Sequence, residues 1–123
     1  MKTIAIDFDD TCCEDAFPNV GKEIEGCSVT LKYLISRGYK LVLWTCREHR
    51  LYEGVDPLQE ALNWFREKGI ELVGINSDEA IRNKDYEESR KIHTDFIIDD
   101  KCVGIPKING YLDWYKIKEL IEG

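Results

Sequence analysis

Three aspartates fall within four positions near the start of the chain, directly after an apolar run. The stretch IAIDFDDT, residues 4–11, contains Asp7, Asp9 and Asp10 and ends in Thr11. In an extended chain Asp7 and Asp9 point to the same side, because successive side chains alternate between the two faces. Carboxylates held this closely repel one another. The pattern therefore favours a site for a compensating cation over a plain solvated turn.

A second acidic pair, Asp99 and Asp100, ends another apolar run, FIIDD. Ligands of open α/β sheets bind beyond the carboxyl ends of the strands, so residues that end different strands can act together. Two carboxylates from one strand and one or two from another could then converge on a hard cation. Mg²⁺ prefers oxygen ligands in octahedral geometry and keeps water or substrate phosphate in its remaining positions. We therefore expect Mg²⁺ as the cofactor.

Four short apolar runs bounded by turn residues are typical of buried parallel strands, and they cover residues 3–7, 40–45, 71–75 and 96–99. Apolar residues at helical spacing predict helices over residues 28–37, from an N-cap at Asp56 to Gly69, and over residues 112–122. Residues 12–25 are expected to form a loop or short flap, and residues 76–94 are at most briefly helical. Alternating strands and helices predict an α/β fold with a parallel sheet covered on both faces.

Length and composition favour one domain. The chain has 123 residues, of which 43% are hydrophobic, which suits a single core. Its net charge of −7 disfavours binding to nucleic acid or anionic membranes, although a local basic patch is an alternative. No run has the length of a signal peptide or a membrane span, and the five cysteines lack metal-site spacing. We expect reduced thiols and a soluble, cytoplasmic protein.

Four motifs follow one another in a recognisable order: IAIDFDDT, then LVLWT, then a downstream lysine, then FIIDD. This ordered set resembles the motifs of the haloacid dehalogenase superfamily of phosphotransferases, in particular its small capless phosphatases, and it spans residues 4–100. The resemblance implies a single Rossmann-like three-layer domain over residues 1–123, with a central parallel sheet flanked by helices. The gaps between motifs are filled by the flap, helices and strands, so they leave no room for a cap domain.

The resemblance also implies roles for the acids. Asp7 would be the nucleophile that forms an aspartyl-phosphate. Asp9 would be the general acid and then the general base, and its backbone carbonyl would bind Mg²⁺. Thr45 would hydrogen-bond a phosphoryl oxygen. Asp99 and Asp100 would complete the metal site, with Asp100 favoured for direct contact.

The remaining candidate site residues are the lysine of the third motif and the residues that would contact the substrate. Lys91 is favoured as the lysine that offsets charge near the transferred group, and Lys84 is the alternative. Thr45 ends LVLWT, and Cys46 and Arg47 begin the loop after it. All three residues are expected to contact substrate beside the phosphate. For Arg47, an ordinary position in a solvated loop is the alternative.

The resemblance implies a Mg²⁺-dependent phosphomonoester hydrolase with a small-molecule substrate. A receiver-like phospho-acceptor and a non-catalytic binding protein of the same general fold are the alternatives. Without a cap the site is open, so substrate selection has to come from other parts. We expect the flap, the loop after Thr45, a homo-oligomer that covers the site, or the substrate's own bulk to provide it.

Overall fold

The structure is a computed structural model that describes residues 2–82 and 90–123. The strands in these residues are β1 (Lys2–Ile6), β2 (Cys13–Ala16), β3 (Asn19–Glu23), β4 (Tyr39–Leu43), β5 (Gly74–Ile75), β6 (Phe96–Ile98), β7 (Lys107–Ile108) and β8 (Tyr111–Leu112). The helices are α1 (Cys27–Ser36), α2 (Pro57–Glu67) and α3 (Trp114–Glu122). This combination confirms the predicted α/β class.

Four strands form one parallel sheet in the order β5-β4-β1-β6. Strand β1 is central, and Ile4 pairs with Leu41 on one side and with Phe96 on the other. Its residues Ile4, Ala5 and Ile6 are all completely buried, as expected for a parallel strand with neighbours on both sides. The sheet brings the carboxyl ends of β1, β4 and β6 to the same edge.

The two faces of the sheet carry different cores. On one face, Ile4 and Leu41 join a large cluster to which all three helices contribute. On the other, Ala5 and Val42 pack with Ile92 in a small cluster. The helices in the described part of the chain therefore cover one face, and segments near residues 81 and 92 cover the other.

Helices α2 and α3 begin where the sequence provides a capping aspartate. Asp56 accepts a hydrogen bond from the N–H of Gln59 at 2.9 Å, and Pro57 opens α2. Asp113 caps α3 in the same way through the N–H of Lys116. These local signals explain why both helices start within two residues of the predicted positions.

The strand predictions differ from the structure in three places. Strand β5 has only two residues, not the five expected over residues 71–75. The predicted flap is a β-hairpin, formed by β2 and β3 around Phe17 and Pro18. A second hairpin, β7 with β8, was not expected, although Asn109 and Gly110 between its strands both have positive φ, the signature of a tight hairpin turn.

No helix in residues 2–82 and 90–123 combines the length and the apolar character needed to cross a membrane.

Candidate functional site

Three of the predicted strand ends adjoin at the carboxyl edge of the sheet. The N–H of Asp7, just past β1, donates to the carbonyl of Ile98 at the end of β6 at 2.9 Å. On the other side of β1, the N–H of Trp44 donates to the carbonyl of Ile6 at 2.8 Å. Pairing of the strands therefore carries Asp7 next to the segment that follows Ile98 and next to the segment that contains Thr45.

Asp7, Asp99 and Asp100 form a compact group of carboxylates. Each offers one oxygen, and these oxygens lie within 4.8 Å of one another. All three side chains are partly buried. Three oxygen donors at this separation match the ligand type and spacing that a hard divalent cation requires. Both Asp99 and Asp100 belong to the group, so the preference for Asp100 as the direct ligand stays a prediction.

The Thr11 hydroxyl joins the two acidic segments. It is fully buried, lies 2.9 Å from Asp7 Oδ2 and accepts a hydrogen bond from the N–H of Asp100 at 3.0 Å. Its single proton is shared between Asp7 Oδ2 and the more distant Asp100 Oδ1, at 3.4 Å. Trp114 Nε1 donates to the carbonyl of Thr11 at 2.9 Å, so α3 holds this turn from behind. Thr11 thereby sets the relative position of the carboxylates.

The carboxyl group of Asp7 is harder to ionise than an ordinary aspartate. Burial raises its pKa from 3.8 to about 7, and the charge of Asp99 and the hydrogen-bonded Asp100 act in the same direction. The hydrogen bonds from Thr11 and from the Phe8 backbone oppose this increase. A cation bound among the three carboxylates would favour the ionised form of Asp7, which is the form that a nucleophile needs.

The carboxylate of Asp9 bonds Arg47. The guanidinium donates to both oxygens, with Nε 2.9 Å from Oδ2 and Nη2 2.7 Å from Oδ1. The side chain of Asp9 is therefore outside the group formed by Asp7, Asp99 and Asp100. The alternation of side chains predicts that the carboxylates of Asp7 and Asp9 converge on one cation, and the structure differs, because both oxygens of Asp9 bond Arg47. The contact to the metal through the backbone carbonyl of Asp9, which the family resemblance implies, stays a prediction.

Arg47 lies in a position that the sequence does not indicate. The sequence predicts a substrate contact in an exposed loop, whereas only 1% of the residue is exposed. Every N–H of its guanidinium bonds to a protein oxygen. No donor therefore remains for a phosphate in this structure.

The other two predicted substrate contacts do face an open cleft. A cavity of about 350 Å³ is lined by Asp7, Trp44, Thr45, Cys46, Asn76 and Asp99. Thr45 Oγ1 accepts a hydrogen bond from the N–H of Arg47 at 3.1 Å, which leaves the hydroxyl proton available to a phosphoryl oxygen. Thr45 and Asp7 thus line the same cleft, as their proposed roles require.

The structure does not choose between the two candidates for the active-site lysine. Lys91 is exposed and precedes the buried Ile92, which packs against the sheet. Lys84 lies outside the described residues. The choice between them as the active-site lysine therefore remains the prediction made from the motifs.

Asn76 is a site residue that the sequence analysis missed. Its side-chain Oδ1 accepts the N–H of Thr45 at 2.7 Å, and its own N–H donates to the carbonyl of Leu43 at 2.7 Å. Its φ of 54° is in the left-handed region, where asparagine is one of the few residues commonly found. An asparagine directly after a predicted strand, in the sequence GIN, was the available signal.

Comparison with known proteins identifies a relative that covers nearly the whole chain. No protein-family model and no curated protein matches it. A solved structure of a conserved protein from Bacteroides thetaiotaomicron is 38% identical, with a TM-score of 0.78, over 98% of this chain and 88% of the other. The two proteins belong to one family. The Bacteroides relative is described only as a conserved protein, so membership of its family supports the fold, and activity has to be argued from the site.

Proposed function

We propose that this protein is a Mg²⁺-dependent phosphomonoester hydrolase that acts through an aspartyl-phosphate on Asp7. The observation that supports this most directly is the group of carboxylates formed by Asp7, Asp99 and Asp100, because two of them, Asp7 and Asp99, line the same open cleft as Thr45. The order of the motifs, which resembles that of the haloacid dehalogenase superfamily, supports the same reaction.

In the first step, an oxygen of Asp7 attacks the phosphorus atom and the bond from phosphorus to the leaving oxygen breaks. Asp9 enters this step in its protonated form and gives that proton to the leaving oxygen, which leaves Asp9 as the carboxylate that pairs with Arg47. In the second step, Asp9 takes a proton from a water molecule, which attacks the phosphorus and releases inorganic phosphate from Asp7. The Thr45 hydroxyl donates to a phosphoryl oxygen in both steps, and Lys91 offsets its charge.

The carboxylates fit the proposed cation in number and kind. Asp7, Asp99 and Asp100 would hold Mg²⁺, together with the backbone carbonyl of Asp9. When bound, the ion neutralises the clustered negative charge and polarises the phosphoryl group. Burial and the neighbouring carboxylates raise the pKa of Asp7, because they make its ionised form less favourable. A bound cation would offset this effect through its positive charge.

The strand order supports a Rossmann-like arrangement. From β1 the chain moves outward to β4 and β5, then returns to the other side of β1 to form β6. Ligands of such sheets bind at the carboxyl edge where this reversal occurs, and Asp7 and Asp99 follow β1 and β6 there. We propose a single three-layer catalytic domain over residues 1–123 without a cap.

The open cleft supports a small phosphomonoester as the substrate, with broad acceptance of leaving groups unless a second copy of the chain covers the site. We propose that nucleic acid is not the substrate, because the net charge of −7 repels its backbone. All five cysteines are free thiols, which supports a location in the cytoplasm, where conditions are reducing.

The test is phosphate release from a panel of phosphomonoesters, with Mg²⁺ and with EDTA, for the wild type, Asp7→Asn and Asp95→Asn. Asp95 is a matched control because it bonds Thr3 at the opposite edge of the same sheet. We expect Mg²⁺-dependent release that is lost in Asp7→Asn and kept in Asp95→Asn. Full activity in Asp7→Asn would overturn the proposal.

The same samples discriminate between the alternatives. A wild-type protein that takes up phosphate from a small donor and keeps it on Asp7 without turnover would indicate a phospho-acceptor module. Neither uptake nor release, with Mg²⁺ bound, would indicate a binding protein in an enzyme's fold.

A further inference from the structure

Arg47 is a buried cation with a complete set of partners. Only 1% of the residue is exposed, although it lies in a stretch, TCREHR, that is otherwise largely exposed. A guanidinium carries five N–H donors. Two bond the oxygens of Asp9, and the other three bond the carbonyls of Pro18, Asn19 and Pro57 at 2.7 to 3.0 Å.

Aromatic rings complete the enclosure of this side chain. The guanidinium carbon lies 5.0 Å from the centre of the Phe8 ring and 5.4 Å from that of Phe17. Both distances are within the range of a cation–π contact. Phe8 is fully buried beneath the site, whereas Phe17 is at the tip of the β2–β3 hairpin. Arg47 therefore lies between the core and the hairpin.

Its partners belong to three separate segments of the chain. Asp9 is in the turn after β1, Pro18 and Asn19 are at the tip of the hairpin, and Pro57 is the first residue of α2. In the described part of the chain, β2 and β3 form a separate two-stranded sheet, and an isolated bridge joins Cys13 at its base to Asp9. The ladder of the main sheet does not reach the tip of the hairpin. The bonds from Arg47 attach the hairpin tip directly to the carboxylate of Asp9.

We propose that Arg47 is a positioning residue, which fixes the carboxylate of Asp9 and holds the hairpin tip beside it. A bidentate fork restrains a carboxylate in orientation as well as in position. The inference rests on the proposed function, since Asp9 is the acid and base of that reaction. This role differs from that of a substrate contact, because all five N–H groups of the Arg47 guanidinium donate to oxygens of the protein.

One consequence is independent of activity. If Asp9 and the hairpin are linked through Arg47, loss of either partner should loosen the same segment. We expect Arg47→Met and Asp9→Asn each to increase amide hydrogen exchange across residues 13–23, and the double variant to add little to either one. Leu34→Ala is the control, because it removes a fully buried side chain of α1 and destabilises the core without touching this link.

A second consequence appears in the chemistry. A proton from Asp9 matters most when the leaving group is a poor one, such as phenol, and least when it is a good one, such as dinitrophenol. With Asp9 out of position, Arg47→Met should lower kcat/KM for phenyl phosphate about tenfold or more but for dinitrophenyl phosphate by less than about threefold. Arg47→Lys, which keeps the charge without the fork, should give a smaller change in the same direction.

The two measurements separate the inference from the proposed function. Equal losses of kcat/KM on both substrates, as expected for Leu34→Ala, would overturn the positioning role while leaving the phosphatase in place. A wild type without activity would overturn the phosphatase, and hydrogen exchange would then decide whether Arg47 links Asp9 to the hairpin. Unchanged exchange across residues 13–23 in Arg47→Met would overturn the inference whatever the activity.

Discussion

Replacing Asp7 by asparagine should stabilise the protein when no metal is bound. Burial raises the pKa of Asp7 from 3.8 to about 7. At neutral and higher pH, ionisation of this carboxyl group therefore costs more free energy in the folded state than in the unfolded chain. Asparagine has nearly the same shape and no charge. The variant therefore removes the penalty and keeps most of the packing.

The magnitude follows from the pKa. The difference between 3.8 and about 7 corresponds to about 4 kcal/mol at about 1.4 kcal/mol for each pKa unit. Because Asp7 is only partly buried, solvent screening reduces this to about 1–2 kcal/mol. For a chain of this size, we expect a melting temperature about 4–8 °C above that of the wild type at pH 8.

The sign of the pH dependence is determined by the raised pKa. Below pH 3.8 Asp7 is protonated in both the folded and unfolded states, so it imposes no penalty and the two proteins should differ little. As the pH rises from 3.8 to about 7, the wild type becomes less stable relative to Asp7→Asn. Above about pH 7 the difference in melting temperature between the two proteins should stay constant. The assay is thermal unfolding in EDTA from pH 4 to pH 8.

The same substitution two positions away provides a control of opposite sign. Asp9→Asn leaves the buried Arg47 without its counter-charge, so we expect it to lose about 2–4 kcal/mol. Mg²⁺ at ten times its dissociation constant should stabilise the wild type by about 1.4 kcal/mol and Asp7→Asn by less. Equal melting temperatures for Asp7→Asn and the wild type across the whole pH range would show that the ionised Asp7 carboxylate does not destabilise the folded protein.

Three further variants test how the site is held together. Thr11→Val removes the hydroxyl next to Asp7, and we expect it to lower the free energy of unfolding by about 1–3 kcal/mol in urea denaturation. Trp114→Phe removes the hydrogen bond to the Thr11 carbonyl, and a loss of about 1–2 kcal/mol in the same assay is expected. Asn76→Gly keeps the backbone conformation but loses the acceptor for the Thr45 N–H, so kcat/KM for a phosphomonoester should fall about tenfold. An unchanged value for Asn76→Gly would mean that Thr45 is positioned without it.

Much of the fold could be predicted from the sequence because its signals are local. The apolar run through Ile4 and Ile6 indicates a buried strand whatever surrounds it, and Asp56 before Pro57 marks a helix start by itself. Asn109 and Gly110 are such a local signal for the β7–β8 hairpin. The length of β5 had none, since pairing with β4 determines it.

The candidate site divides in the same way. The acids that end the strands are readable from the sequence, because a parallel sheet brings those ends to one edge, and Asp7, Asp99 and Asp100 meet there. The position of Arg47 depends on how distinct segments pack together. Its partners come from the turn after β1, the hairpin tip and the start of α2, so nothing in the residues beside it reveals that it is buried. A side chain whose hydrogen-bond partners all come from other segments acquires its role when the segments pack.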